Sequence, residues 1–318
     1  MSLPADVLVV GSGGFVGRAL VPGLRAAGLQ VVAATRSPRG GGERPVDIAD
    51  EGSVRALFAS LGAPPRSVVH LAAIAHKRAS TLPAGAYEAV NHQGLRHVLA
   101  AARDAGVERF VFFSSASVYG DAGRTGAVPE DAELRPVGEY GTSKARAEEA
   151  CRQAIAEGFA CTMLRFPAMY SRDFLLNVRK RAYVPGTGDR VLLRVPGRPP
   201  RHSLCAVANA VDAVRIALGG GLPPGPCNVT DGEPYAQDEM ARVVGVLEPT
   251  NTANDRVIFI PLVTTYAIEE HSKGMEAQSR IRAAQAAGAV ALAGLLAFLL
   301  APGVFRAVIP RLLDPFGN

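Results

Sequence analysis

"VVGSGGFVG" (Val9–Gly17) joins an apolar run to a helical one, and few folds can hold such a junction near the start of a chain. Asp6 to Val10 reads as a buried strand entering a glycine cluster. Phe15 to Ala27 carries helical spacing, which Gly28 ends. The alternation continues. "LQVVAATR" (Leu29–Arg36), "SVVHLAA" (Ser67–Ala73), "RFVFFSSASVYG" (Arg109–Gly120) and "FACTMLRF" (Phe159–Phe166) read as strands, and a helix is expected from about Thr142 to Glu157. Continuous apolar strands separated by helices predict an α/β fold, with a doubly wound parallel sheet covered on both faces.

Gly11, Gly14 and Gly17 stand at a GxxGxxG spacing between strand and helix. Glycines let the backbone turn tightly and approach a pyrophosphate, while the helix start offers unpaired N–H groups and a positive dipole end. The second strand should then end on the residue that faces the adenosine ribose, where an acid would bind the 2′-hydroxyl. This strand ends "AATRSPRG", with Thr35, Arg36, Ser37 and Arg39 and no acid. Arg36 can pair with a 2′-phosphate instead, which favours NADP(H) over NAD(H).

The 318 residues, 48% of them hydrophobic, suffice for a core domain with a smaller appendage. The net charge of +5 is concentrated in one segment, and the rest of the chain is slightly acidic. There Arg172, Arg179, Lys180, Arg181, Arg190, Arg194, Arg198 and Arg201 face only Asp173 and Asp189. Such a segment suits an anionic small molecule, or is a solvated face. It lacks the interleaved aromatics of a nucleic-acid surface, so no nucleic-acid partner is expected. Cys151, Cys161, Cys205 and Cys227 form no CxxC pair or Cys/His cluster, so neither a metal site nor a disulfide framework is implied. The N-terminus lacks a charged n-region and long apolar run, and a reducing, cytoplasmic setting is expected. From 283 to 301 the chain is apolar and uncharged, just long enough to span a bilayer. It reads either as an attachment to the cytoplasmic membrane face or as a buried or interface helix. The expected division is 1–166 as dinucleotide-binding core, 167–245 as a substrate-binding portion interleaved with it, and 246–318 as a tail.

Several further motifs follow in order: "VDIAD" (Val46–Asp50), "HLAA" (His70–Ala73), "VNHQG" (Val90–Gly94), "SSASVYG" (Ser114–Gly120), "YGTSK" (Tyr140–Lys144), "LRFPAMYS" (Leu164–Ser171), "RHSLCAVANAVDAV" (Arg201–Val214) and "NVTDGEPYAQDEM" (Asn228–Met240). With the glycine loop, they make residues 5–245 resemble an extended short-chain dehydrogenase/reductase of the NAD-dependent epimerase/dehydratase group. The resemblance implies a Rossmann-type sheet, a bound NADP(H) or NAD(H), and a homodimer formed through a helical bundle. It implies that Gly11, Gly14, Phe15, Val16 and Gly17 cradle the cofactor. Asp47 and Ile48 would sit beside the adenine, and Leu71, Ala72 and Ala73 along ribose and pyrophosphate. Asn91 would support the site, and Pro167 would border the cofactor. Ser115, Tyr140 and Lys144 would be catalytic. Ser115 and Arg201 would meet a nucleotide-sugar substrate, with Arg179, or its neighbours Lys180 or Arg181, a further candidate from the basic segment.

Tyr140 and Lys144 lie one turn apart on one helix face. A phenol titrates near ~10, too high for a base at neutral pH, but a nearby ammonium favours the phenolate. Dehydratases of the group carry acids directly after the catalytic hydroxyl, where this chain has Ala116 and Ser117. The resemblance therefore leaves 4-epimerisation or 4-keto reduction of a nucleotide-activated sugar. Two other readings stay open: a dinucleotide-binding, redox-sensing or structural subunit without turnover, and a reductase of a non-sugar alcohol.

Overall fold

The computed structural model describes residues 6–75, 82–120, 126–182, 201–236 and 239–240. Strands β1 (Val7–Val10), β2 (Val31–Thr35), β3 (Arg44–Pro45), β4 (Ser67–His70), β5 (Arg109–Ser115), β6 (Cys161–Phe166) and β9 (Gly225–Asn228) form one sheet in the order β3-β2-β1-β4-β5-β6-β9. Every pairing in it is parallel. This is the Rossmann-type order, and the chain reverses direction across the sheet between β1 and β4. Strands β7 (Ala168–Tyr170) and β8 (Leu204–Ala206) pair separately, also in parallel.

Successive side chains of a strand point to opposite faces, and β1 shows both faces filled. Leu8 and Val10 pack with Val54, Leu57, Leu95 and Val98 on one side. These come from α2 (Glu51–Ala59) and α3 (Gly94–Asp104), and Ala147 and Ala154 of α4 (Gly138–Ala156) join them. Val7 and Val9 pack on the other side with Leu20 and Leu24 of α1 (Gly17–Ala26) and with Ala210 and Val214 of α6 (Val207–Leu218). A third cluster, Tyr170, Leu175, Val178, Leu204 and Met240, gathers around the β7–β8 pair and α5 (Leu176–Ala182).

Helix α4 starts at Gly138, earlier than the spacing predicts, so Tyr140 lies inside its first turn. Gly138 has φ +73°, a backbone angle that lets the chain swing from the preceding extended Val137 into the helix.

One expectation is corrected. Among the described residues no helix is long and apolar enough to cross a membrane. The stretch 283–301, on which attachment to the cytoplasmic membrane face rested, lies outside them. A charge-free run rich in Ala and Gly gains little on transfer to lipid, so length alone was a weak warrant. Arg190, Arg194 and Arg198 of the basic segment and the tail beyond Met240 also lie outside the described residues.

Candidate active site

The glycine loop sits where β1 ends, against the ends of β2 and β4. The amides of Gly11 and Ser12 both donate to Ala34 O, at 2.8 and 3.0 Å. Those of Leu71 and Ala72 both donate to Val10 O, at 2.8 and 3.0 Å. Gly11 has φ +97°, and a Cβ there would lie 2.5 Å from Ala72 N. A Cβ on Gly17 would meet Ser12 O at 2.5 Å. These two glycines are fixed by close packing, whereas a Cβ on Gly14 would touch only Gly11 O, at 3.4 Å. Helix α1 has no side-chain cap and no acid in its first turn, so its positive end faces no competing anion of its own. Phe15, in the loop, packs at a tilt against Phe174 with ring centroids 4.3 Å apart. A narrow turn backed by an uncapped helix start fits a dinucleotide pyrophosphate.

At the C-terminal end of β5 the chain turns through a short 3₁₀ helix, Ala116–Tyr119. Ser117 donates to Ser115 Oγ twice, from its backbone amide at 3.2 Å and its hydroxyl at 2.9 Å. With its oxygen accepting both, the Ser115 hydroxyl hydrogen is directed elsewhere. Ser115 in turn lies beside the Tyr140 phenol and pulls it toward ionisation. Burial acts more strongly in the opposite sense and raises the Tyr140 pKa, and Tyr87, edge-on at 6.3 Å between centroids, adds to that rise. The lowering expected from a neighbouring ammonium is not among the influences on this phenol, and desolvation sets the direction.

Lys144 explains why. Its Nζ reaches into the core, donates to Phe113 O at 2.7 Å and lies 4.7 Å from the Phe112 ring centroid. It is 3% exposed, and burial brings its pKa down to about 8, with Cys151 and Glu148 opposing the fall. Asn91 lies in a π-helical stretch, Glu88–Gln93, and is 1% exposed. It bonds Ile74 N at 2.7 Å, Ile74 O at 3.0 Å and Ser143 Oγ at 3.0 Å. Ser143 passes the connection to Tyr140 O at 2.8 Å. Asn91 therefore ties the segment leaving β4 to the first turn of α4, and Ser143 is a member of the site that sequence reasoning missed.

The remaining expected residues fall in two groups. Ala73 follows Leu71 and Ala72 off the end of β4, and Arg36 follows β2, exposed. Pro167 follows β6, whose last residue Phe166 stacks on Phe113 at 4.6 Å. All leave the sheet at the same edge as the glycine loop. Val16 packs against the core on the α1 side. Asp47 is exposed and accepts from Ala49 N, whereas Ile48 is buried where a Cβ on Gly94 would be 2.8 Å from it. Arg179 lies on α5, away from that edge in sequence, and Arg201 bonds Pro234 O and pairs with Glu239 at 3.5 Å.

Beneath the site, His70 ends β4 fully buried between Phe110 and Phe112, and neither ring nitrogen meets hydrogen-bond geometry. Burial, helped by the Lys144 charge and opposed by the Ala72 backbone, lowers its pKa to about 3. The unfolded chain takes up a proton here near its ordinary value of 6.5, whereas the folded chain refuses it until about 3. Stability therefore falls as pH drops through that window, by about 2 kcal/mol at pH 5. Urea midpoints measured across it should decline for the native protein and flatten for His70→Leu. Equal slopes would assign the acid sensitivity to other groups.

A family model described as "NAD dependent epimerase/dehydratase family" matches residues 7–220. The chain belongs to the NAD dependent epimerase/dehydratase family. Among its relatives, a 4-hydroxy-2-methyl-3-oxo-4-farnesyl-3,4-dihydroquinoline-1-oxide ketoreductase of Stigmatella aurantiaca is 28% identical over 240 residues, covering 71% of this chain and 68% of that protein. Among solved structures, MoeE5 in complex with UDP-glucose and NAD is 29% identical, with TM-score 0.59, covering 76% of this chain and 82% of that one. The UDP-glucose 4-epimerase of Thermus thermophilus, complexed with NAD, shares the fold at 24% identity and TM-score 0.62, covering 76% and 83%. Both of these solved neighbours are complexed with NAD.

Proposed function

We propose that this chain is an NAD(P)-dependent oxidoreductase or epimerase acting at one carbinol carbon of a nucleotide-activated sugar, by 4-epimerisation or 4-keto reduction. The observation that carries the reading is the Ser115 side chain beside the Tyr140 phenol and acting on its ionisation, with Lys144 buried one helical turn further on. When bound, the dinucleotide supplies the acceptor or donor of the hydride. Ser115 orients the reacting oxygen, and Tyr140 takes its proton in oxidation or returns it in reduction. Lys144, while protonated, would favour the phenolate once its ammonium turns from Phe113 O toward the phenol. Ala116 and Ser117, the next two positions, offer no carboxylate, which argues against elimination of water. Retention of both Tyr140 and Lys144 argues against a binding-only subunit.

The likeness to a UDP-glucose-bound protein supports a nucleotide sugar. In that reading Arg179 and Arg201 meet the diphosphate, Arg201 exchanging its hold on Glu239 for the ligand. A second reading, reduction of a ketone on a non-sugar substrate, is favoured by the Stigmatella relative. Purified protein offered UDP- and dTDP-hexoses, their 4-keto forms and lipophilic cyclic ketones, with each nicotinamide cofactor, separates the two. Turnover of sugars alone is the expected result. Turnover confined to lipophilic ketones would replace the first reading by the second, and none in any arm would remove both.

A further inference from the structure

The loop between β2 and β3 brings an acid back to the place where the end of β2 has none. Gly40, Gly41 and Gly42 have φ of +107°, +66° and +81° in succession. A Cβ at any of the three would meet nothing within 4 Å, so their use is conformational rather than steric. They fold the chain back so that Glu43 reaches the glycine loop. Glu43 Oε1 accepts from the Ser12 hydroxyl at 2.9 Å, and Oε2 from the Arg39 amide at 2.9 Å. Ser12 is 3% exposed and its own amide is bonded to Ala34 O of β2, so the carboxylate is anchored to a fixed point. Beside it, a Cβ on Gly13 would lie 2.7 Å from Thr35 Oγ1, which puts the last residue of β2 against the same loop.

The junction of glycine loop and second strand is where the adenosine ribose of a dinucleotide rests, and a carboxylate there bonds ribose hydroxyls and repels a 2′-phosphate. We propose that Glu43, supplied from outside the β2 strand, is the cofactor-selecting acid of this site and sets a preference for NAD(H) over NADP(H). The proposal rests on the dinucleotide-binding reading given above and reverses the preference that Arg36 alone suggests. Arg36 and Arg39 are exposed, whereas Glu43 is half-buried and doubly held. Those two bonds, the Arg39 amide first and Ser12 second, keep its pKa below the ordinary carboxylate value, so it remains charged at neutral pH. A fixed negative charge must be displaced or overcome before a 2′-phosphate can approach the arginines.

The test is direct titration of the full chain with NADH and NADPH, read by nicotinamide fluorescence and requiring no substrate. The native protein should bind NADH at least about tenfold more tightly than NADPH, and Glu43→Gln should close most of that gap by strengthening NADPH. Ser12→Ala, which frees the carboxylate without removing it, should move the ratio the same way by less. A native preference for NADPH, or a ratio unchanged in Glu43→Gln, overturns the role of Glu43 while leaving the dinucleotide site intact. Binding of neither cofactor by the native protein overturns the dinucleotide reading, and Glu43's role with it.

Discussion

Tyr140→Phe should reduce turnover by about 10²- to 10⁴-fold, the range that a positioned proton donor or acceptor contributes. Phenylalanine keeps the ring that meets Tyr87 edge-on and removes only the oxygen beside Ser115. Folding and dinucleotide binding should therefore survive, and the loss should fall on kcat rather than on cofactor affinity. The measurement is the rate of nicotinamide absorbance change with whichever substrate the native protein turns over, alongside an NADH titration. Because burial raises the phenol's pKa, most molecules hold it protonated at neutral pH, a state suited to donating a proton. Reduction should accordingly be favoured at neutral pH, and oxidation should accelerate as pH rises until Lys144 begins to lose its proton at about 8. Full turnover in Tyr140→Phe would remove this residue from the chemistry, and Ser115 would need another partner.

The sheet was legible because strands β1, β4, β5 and β6 are local apolar runs and the helices between them are periodic. The candidate site was legible only where chemistry follows local spacing, as in the glycine loop and the Tyr140–Lys144 pair. What sequence reasoning missed is set by contacts between distant residues. The acid near Ser12 comes from a glycine turn 31 positions away, which the end of β2 does not announce. Ser143 meets Asn91 across 52 positions, through a π-helical stretch that has no distinct period in so short a run. The direction of the Tyr140 shift was misjudged for a related reason. Spacing puts Lys144 on the same face as Tyr140, but not which way a long side chain extends, and this one bonds Phe113 O inside the core.

Glu148 is a carboxylate four positions beyond Lys144, on the face that α4 buries. It is fully buried, and so is Arg165 of β6, which bonds it through both oxygens at 2.8 and 2.7 Å. Ser114, next to the proposed catalytic Ser115, donates to the same carboxylate at 2.5 Å, and half-exposed Arg152 donates at 2.9 Å. Arg165 also reaches the Tyr119 hydroxyl at 2.6 Å and Glu130 O at 2.8 Å, and Tyr119 bonds Asn228 of β9 at 2.7 Å. One buried pair thus fastens α4 to β5, β6 and β9. Leaving either charge without its partner is the costly event, so Glu148→Ala and Arg165→Met should each lose about 3–5 kcal/mol in urea unfolding. Glu148→Leu combined with Arg165→Met removes both charges and should recover much of that loss, since the pair's desolvation offsets most of its attraction. A double variant as weak as the sum of the singles would mean that packing and the Tyr119 and Glu130 bonds carry the stability instead. The charge has a second effect through Lys144, whose pKa Glu148 holds up against burial. Glu148→Gln, closest in shape, should drop that pKa below about 8, so the activity that depends on a protonated Lys144 should fail at lower pH than in the native protein. An unmoved alkaline limb in a folded Glu148→Gln would confine this carboxylate to holding the helix in place.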